Sequence, residues 1–343
     1  MSISAVRKIL FSSISFFLLF ATTGVTTPAF AADCTQYTVP VNLSAIDPTV
    51  YHIVGTLCNP DTGNNVQLLL SGATYNHVYW DFPFQPKTYS YVQNTQGTDF
   101  ATFNIDRIGT GASDHPDPEL ITIQSNAFVA HQIVQDLKSG SIGSKAFSKV
   151  VLVGHSMGSA MAIDEAATYQ DVDGVMLTGY IHGTFNPGAI PVASNDIYPA
   201  AFDPKFSSLG LPFGYLTTKP NTRGQIFYYS PTADPAVVAT DEITKDLVTD
   251  ATFATFFPSL SSHESNTIHV PVLLVIGQFD FLNCDQTIGC SVANVTANET
   301  SFFDPSAMLQ INVIPNTGHD INLQTTSGTW FGIAQSWLKH HFN

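Results

Sequence analysis

One stretch constrains the backbone of this chain more tightly than any other: Lys149-Val150-Val151-Leu152-Val153-Gly154-His155-Ser156-Met157-Gly158. Apolar β-formers run straight into Gly-x-Ser-x-Gly, and Ser159-Ala160-Met161-Ala162-Ile163 beyond it reads as a helix. A strand, a sharp turn and a helix around this pattern hold the serine on strained backbone with its hydroxyl exposed. Gly154 and Gly158 flank Ser156 in a turn so tight that side chains there would meet neighbouring backbone. With Gly and Ser near roughly 7% each in average proteins, the pattern arises by chance about 0.1 times in a chain this long. A glycine-rich turn with an ordinary serine is the plainer reading, and the flanking strand and helix weigh against it.

The first residues read as a targeting segment, 1–31. Arg7 and Lys8 start it, an apolar run follows from Ile9 to Phe20, and Ala29-Phe30-Ala31 offers a small-residue cleavage site. The chain after cleavage is expected to begin at Ala32, or at Asp33 if the cut falls one residue later. The apolar run is short and broken by serines, so stable membrane insertion is not expected. Arg7 and Lys8 leave with it, and 10 basic residues then face 27 acidic ones, a net −17. That charge repels nucleic acid and anionic lipid and suits a secreted, extracellular protein, or a periplasmic one in a diderm bacterium. Oligomeric state is not legible.

Export makes disulfides the expectation for Cys34, Cys58, Cys284 and Cys290, and proximity favours Cys34–Cys58 and Cys284–Cys290. A metal site is the rival, but no Cys-x-x-Cys or His at ligand spacing completes one. Asn42, Asn294 and Asn298 head glycosylation sequons.

Strands are predicted twice within 36–58, then at 65–70, 100–105, 149–155, 174–180, 270–276 and 309–314. Helices are predicted at 120–137, after Ser156 and at 330–340. Strands alternating with helices imply an α/β fold, a mostly parallel central sheet covered on both faces. Between 184 and 262 the alternation breaks into a proline- and aromatic-rich stretch, from Phe185 and Phe202 through Phe227 and Tyr229 to Phe253 and Phe257. Helical spacing runs there from about Ala236 to Phe257. Such an insertion reads as a cap over the strand ends, dividing the core into 32–183 and 263–343.

The chain resembles the α/β-hydrolase superfamily, in its capped, serine-nucleophile branch. The resemblance rests on Gly154-His155-Ser156-Met157-Gly158, on Asp106-Arg107-Ile108-Gly109-Thr110-Gly111-Ala112-Ser113 and on Gly318-His319 after the last strand. One departure stands out: the loop after the third strand usually reads His-Gly, and here it is Ser71-Gly72.

The resemblance implies a triad in the order serine, acid, histidine, met here by Ser156, Asp280 and His319. A hydroxyl is a weak nucleophile until an imidazole takes its proton, and a carboxylate fixes the imidazole tautomer. Asp285 and Asp304 are the rival acids. His155, His340, His341, His52 and His115 sit less well than His319. Asp320 is expected to be a surface or loop-capping carboxylate. The oxyanion donors are expected to be the amides of Met157 and Ala73, with Thr74 as alternate, and Tyr75 and His77 are candidates for the same pocket.

The expected activity is hydrolysis of a small apolar carboxylic ester, lactone or amide through an acyl-enzyme, with no metal or organic cofactor implied. The same triad also serves perhydrolases, carbon–carbon hydrolases and lyases. A non-catalytic binding protein on this fold is the reading from another class, and an intact triad weighs against it.

Overall fold

Consecutive apolar β-formers set the strands of one eight-stranded sheet. The computed structural model describes residues 33–342 except 62, 96, 97, 184 and 185. The targeting segment and Phe185 therefore lie outside the described residues. The chain forms β1 (Cys34–Val41), β2 (Tyr51–Cys58), β3 (Asn65–Leu70), β4 (Phe100–Ile105), β5 (Lys149–His155) and β6 (Gly174–Thr178). After an interruption by β7 (Ile197–Pro199), β8 (Tyr215–Thr218) and β9 (Val248–Thr249), β10 (Val272–Gly277) and β11 (Gln310–Ile314) complete the sheet. Its order is β1-β2-β4-β3-β5-β6-β10-β11. β2 runs antiparallel to β1 and β4, and the pairings from β4 to β11 are parallel.

Side chains on successive strand residues point to opposite faces, and both faces are buried. Val66, Leu68, Val150 and Leu152 join the cluster under helices Ile123–Ser139 and Met157–Tyr169. Leu69, Val151, Val153 and Val275 join the other, under helix Ser327–Phe342. This is why these strands read as unbroken apolar runs rather than alternating ones. The predicted helix at 120–137 starts later, because Leu120 belongs to a short 3₁₀ turn and Thr122 caps Ile123–Ser139 through a reciprocal bond with Ser125.

The stretch between β6 and β10 carries its own three-stranded antiparallel sheet, β7-β8-β9. The continuous helix suggested at 236–257 is two helices instead, Pro235–Thr244 and Asp250–Ser259. Lys245 and Asp246 are buried between them and need partners. Lys245 Nζ reaches Asp203 Oδ2 and the Thr218 carbonyl, each at 2.8 Å. Asp246 Oδ2 accepts from Asn76 at 2.6 Å and from the Gly111 amide at 3.1 Å. Extended backbone supplies those directions, and Thr249 then caps the second helix.

Both expected disulfides are formed. Cys34–Cys58 joins register partners on β1 and β2, and Cys284–Cys290 closes a loop after β10. Among the described residues, no helix is long and apolar enough to cross a membrane.

Candidate active site

Parallel strands deliver the predicted residues just past their carboxyl ends, where such sheets open a crevice. Ser156 follows β5 directly, with φ 53° and ψ −119°, a conformation an L-residue holds only under constraint. The constraint is close packing. A Cβ on Gly154 would fall 2.5 Å from the Gly158 carbonyl oxygen, and one on Gly158 would fall 2.3 Å from that of Leu70. The Ser156 amide donates to the Thr178 carbonyl at 2.7 Å, tying the turn to β6.

Asp280 follows β10 and His319 follows β11. His319 Nδ1 lies 2.9 Å from Asp280 Oδ2. Asp280 is fully buried, and it also accepts from Asn283 Nδ2 at 2.9 Å and from the Leu282 amide at 3.0 Å. Three donors fix that carboxylate. Its bond to Nδ1 leaves Nε2 as the lone-pair nitrogen. Burial disfavours the His319 imidazolium, but the charge and hydrogen bond of Asp280 raise its pKa above the ordinary 6.5.

Ser156 and His319 line one cavity of about 250 Å³ with Ala73, Thr74, Tyr75 and Met157. Their Oγ and Nε2 atoms are not hydrogen-bonded to each other, a contact that often tightens only when substrate seats. Met157 opens the helix, so its amide has no intrahelical partner, and the residue lines the same cavity. Phe227, Phe253, Phe256, Phe257 and Leu282 supply apolar walls.

The Asp106-Arg107 loop braces this site from behind. Arg107 Nη2 donates to the Gly72 carbonyl at 2.8 Å, and its Nε approaches Ser71 Oγ at 3.4 Å. Arg107 thus supports the loop in which Ser71 stands where a histidine is usual. Asp106 accepts from the Ala112 amide at 2.8 Å, and Gly111, at φ 55°, leaves room that a Cβ would take only 2.2 Å from the Asp106 carboxylate.

Two rival acids and two other histidines are engaged elsewhere. Asp285 is exposed and Asp304 half-buried, and they accept from the amides of Thr287 and Ser306 in their own loops. His52 pairs with Asp114 at the surface. His77 is not in the cavity: its Nδ1 lies 2.5 Å from Asp106 Oδ1, which makes it a brace for that loop, whereas Tyr75 does line the cavity.

Asp320 corrects the expectation of a surface carboxylate, for it is completely buried. Tyr75 Oη donates to Asp320 Oδ2, and His155 Nε2 lies 3.2 Å from Asp320 Oδ1. Thr178 Oγ1 gives its proton to the Gly154 carbonyl and so accepts from His155 Nδ1 at 3.1 Å. Burial, then the charge of His319, holds the His155 pKa well below its ordinary value, so the ring is neutral and Nε2 needs a donor. Asp320 must supply it, as a protonated acid. Burial, then the charge of Asp241, pushes its carboxyl up accordingly. His155, His319 and Asp320 bring ligand atoms within 4.8 Å of one another, but their own hydrogen bonds occupy that space.

The network continues into the 184–262 stretch. Arg223 clamps Asp241 with bonds of 2.9 and 3.0 Å and donates to Thr74 Oγ1 at 2.9 Å, while its guanidinium lies 4.1 Å over the Tyr75 ring. Sequence reasoning missed Arg223 and Asp241, along with Asn283, Ser194 and Ile197 of the cavity wall.

A family model described as the alpha/beta hydrolase family matches residues 67–327. No curated protein matches by sequence. Among solved structures, a monoglyceride lipase from Saccharomyces cerevisiae is similar at TM-score 0.60 and 14% identity, covering 89% of this chain and 97% of its own. Naproxen esterase from Bacillus subtilis is similar at 0.60 and 14%, covering 91% and 93%. A bromoperoxidase from Bacillus anthracis is similar at 0.59 and 14%, covering 88% and 100%. With the model match spanning most of its length, the chain belongs to the alpha/beta hydrolase family.

Proposed function

We propose that this hydrolase is a secreted serine enzyme that cleaves carboxylic esters of small apolar substrates, with lactones and amides as related acyl donors, through an acyl-enzyme. The reading rests on one observation: Ser156, on positive-φ backbone, shares an apolar cavity with His319, whose Nδ1 is held by the buried Asp280. In this mechanism His319 Nε2 takes the Ser156 proton as Oγ attacks the carbonyl. The amides of Met157 and Ala73 receive the oxyanion, each worth about 3 kcal/mol of barrier. His319 returns the proton to the leaving alcohol, and water then repeats the sequence to free the acid. No cofactor enters.

Residues 184–262 act here as a cap. Their phenylalanines favour an apolar acyl or alcohol part over a sugar or phosphate. The leader-like start and the two disulfides support export.

A fluorophosphonate probe tests the reading. It is expected to label Ser156 alone, and Ser156→Ala is expected to retain less than about a hundredth of wild-type turnover on aryl esters. An unlabelled Ser156, with no turnover across graded acyl lengths, would make the chain a binding protein on a hydrolase fold. Hydrogen peroxide can open the same acyl-enzyme, so peracid release in a parallel assay would identify a perhydrolase.

A further inference from the structure

Away from the cavity, helices Ile123–Ser139 and Met157–Tyr169 pack side by side and share a polar cluster at their outer end. The first helix presents His131, Gln135 and Lys138 to the turn that follows the second. His131 Nδ1 lies 2.8 Å from Asp171 Oδ2, and Gln135 donates to the same oxygen. Lys138 Nζ donates to the Asp171 carbonyl and stands 3.5 Å from Asp173 Oδ2; its charge favours the Glu165 anion from a distance without donating a hydrogen bond to it, and does not outweigh burial there. Glu165 sits beneath, completely buried. Neither of its carboxylate oxygens, nor Asp171 Oδ1, receives a hydrogen-bond donor from the described residues. Two acids facing each other out of water cannot both be bare anions: a proton or a cation must lie between them.

The third member of the cluster favours the cation. One nitrogen of His131 and one oxygen from each acid lie within 4.8 Å of one another. Tetrahedral ligands about 2.0–2.2 Å from zinc stand roughly 3.4 Å apart, so side-chain rotation of about an ångström closes the shell, and water completes it. We propose that His131, Glu165 and Asp171 form a structural site for a divalent first-row transition ion, with zinc as its type. One imidazole with two carboxylates suits such an ion better than calcium, which prefers oxygen alone. Two carboxylates also neutralise its charge. His131 and Asp171 are partly exposed and give the ion a way in, while Tyr169, stacked on His131 at 4.0 Å, holds the ring. None of the three lines the cavity. The ion would staple the helix that begins at Met157 to its neighbour, contributing stability and not chemistry.

The test uses the untagged protein, stripped with EDTA and titrated with Zn²⁺, Mn²⁺ or Ca²⁺ by calorimetry and thermal melting. One zinc per chain is expected, with Tm raised by about 5 °C at a hundredfold excess over the dissociation constant. Glu165→Gln, which mimics the protonated acid, is expected to weaken binding at least tenfold and remove the shift. His131→Gln, at a partly exposed position, gives the same readout should Glu165→Gln fail to fold. Absence of saturable one-site binding by zinc and manganese would place a shared proton between Glu165 and Asp171 and overturn the proposal. A wild-type shift that persists in both variants would overturn it equally, by placing the ion elsewhere.

Discussion

One proton settles the electrostatics beside His319. If Asp320 holds it, the carboxyl is neutral, and an amide of the same shape can replace it, donating to His155 Nε2 and accepting from Tyr75. Asp320→Asn is therefore expected to keep ester turnover within about threefold, whereas Asp320→Ala orphans buried groups at about 1–3 kcal/mol each. Turnover and thermal unfolding of the two variants check this; an Asn variant as impaired as the Ala one would mean that the negative charge itself matters. A second expectation concerns His319. The proposed mechanism needs its neutral form, and its pKa is raised, so activity is expected to be lost on acidification with a midpoint above 6.5. The pH profile of kcat/KM on an ester with a non-titrating leaving group measures that midpoint, and a value at or below 6.5 would contradict the assignment.

At the scale of elements, the two disulfides divide the labour. Closing the short Cys284–Cys290 loop limits little chain entropy, about 2 kcal/mol, against about 3.5 kcal/mol for Cys34–Cys58. Its position counts for more. The Cys284 amide donates to the Asp280 carbonyl at 2.7 Å and the Cys290 amide to that of Gln278 at 2.8 Å, so the clip closes around the acid that orients His319. Replacing Cys284 and Cys290 by serine is expected to lower kcat more than Tm, and replacing Cys34 and Cys58 to do the reverse; paired kinetics and melts decide. The buried strands and the Gly-x-Ser-x-Gly turn were legible in the sequence because local pattern alone sets them. So were Asp280 and His319, each placed by the strand before it. Asp320, Arg223 and Asp241 were not. Their partners stand far off in the chain, Tyr75 being 245 residues from Asp320 and 166 from Asp241, and no local pattern encodes such meetings. The break at Lys245-Asp246 was hidden likewise, since apolar spacing counts faces and not the partners that buried charges require.

Across the whole molecule, the buried Arg223–Asp241 pair joins the 184–262 stretch to the loop after β3. Arg223→Met is expected to cost roughly 3–5 kcal/mol by stranding Asp241, and Arg223→Met with Asp241→Asn is expected to recover part of it in denaturant melts. Full additivity of the two losses would show that the residues do not depend on each other. That fastening has a consequence for traffic. A wall riveted through Arg223, Asp241 and Asp246 cannot swing aside at each turnover, so reactants must pass where the rivets are missing. The helix Asp250–Ser259, itself tied to the core where Thr252 donates to the Ile121 carbonyl and Thr255 accepts from the Ile123 amide, brings Phe253, Phe256 and the half-exposed Phe257 to the cavity edge, an apolar rim between the chamber and solvent. Trimming Phe257 to alanine is expected to shift relative rates toward longer acyl chains, read from kcat/KM across a graded ester series. The doorway, on this geometry, is a greasy one.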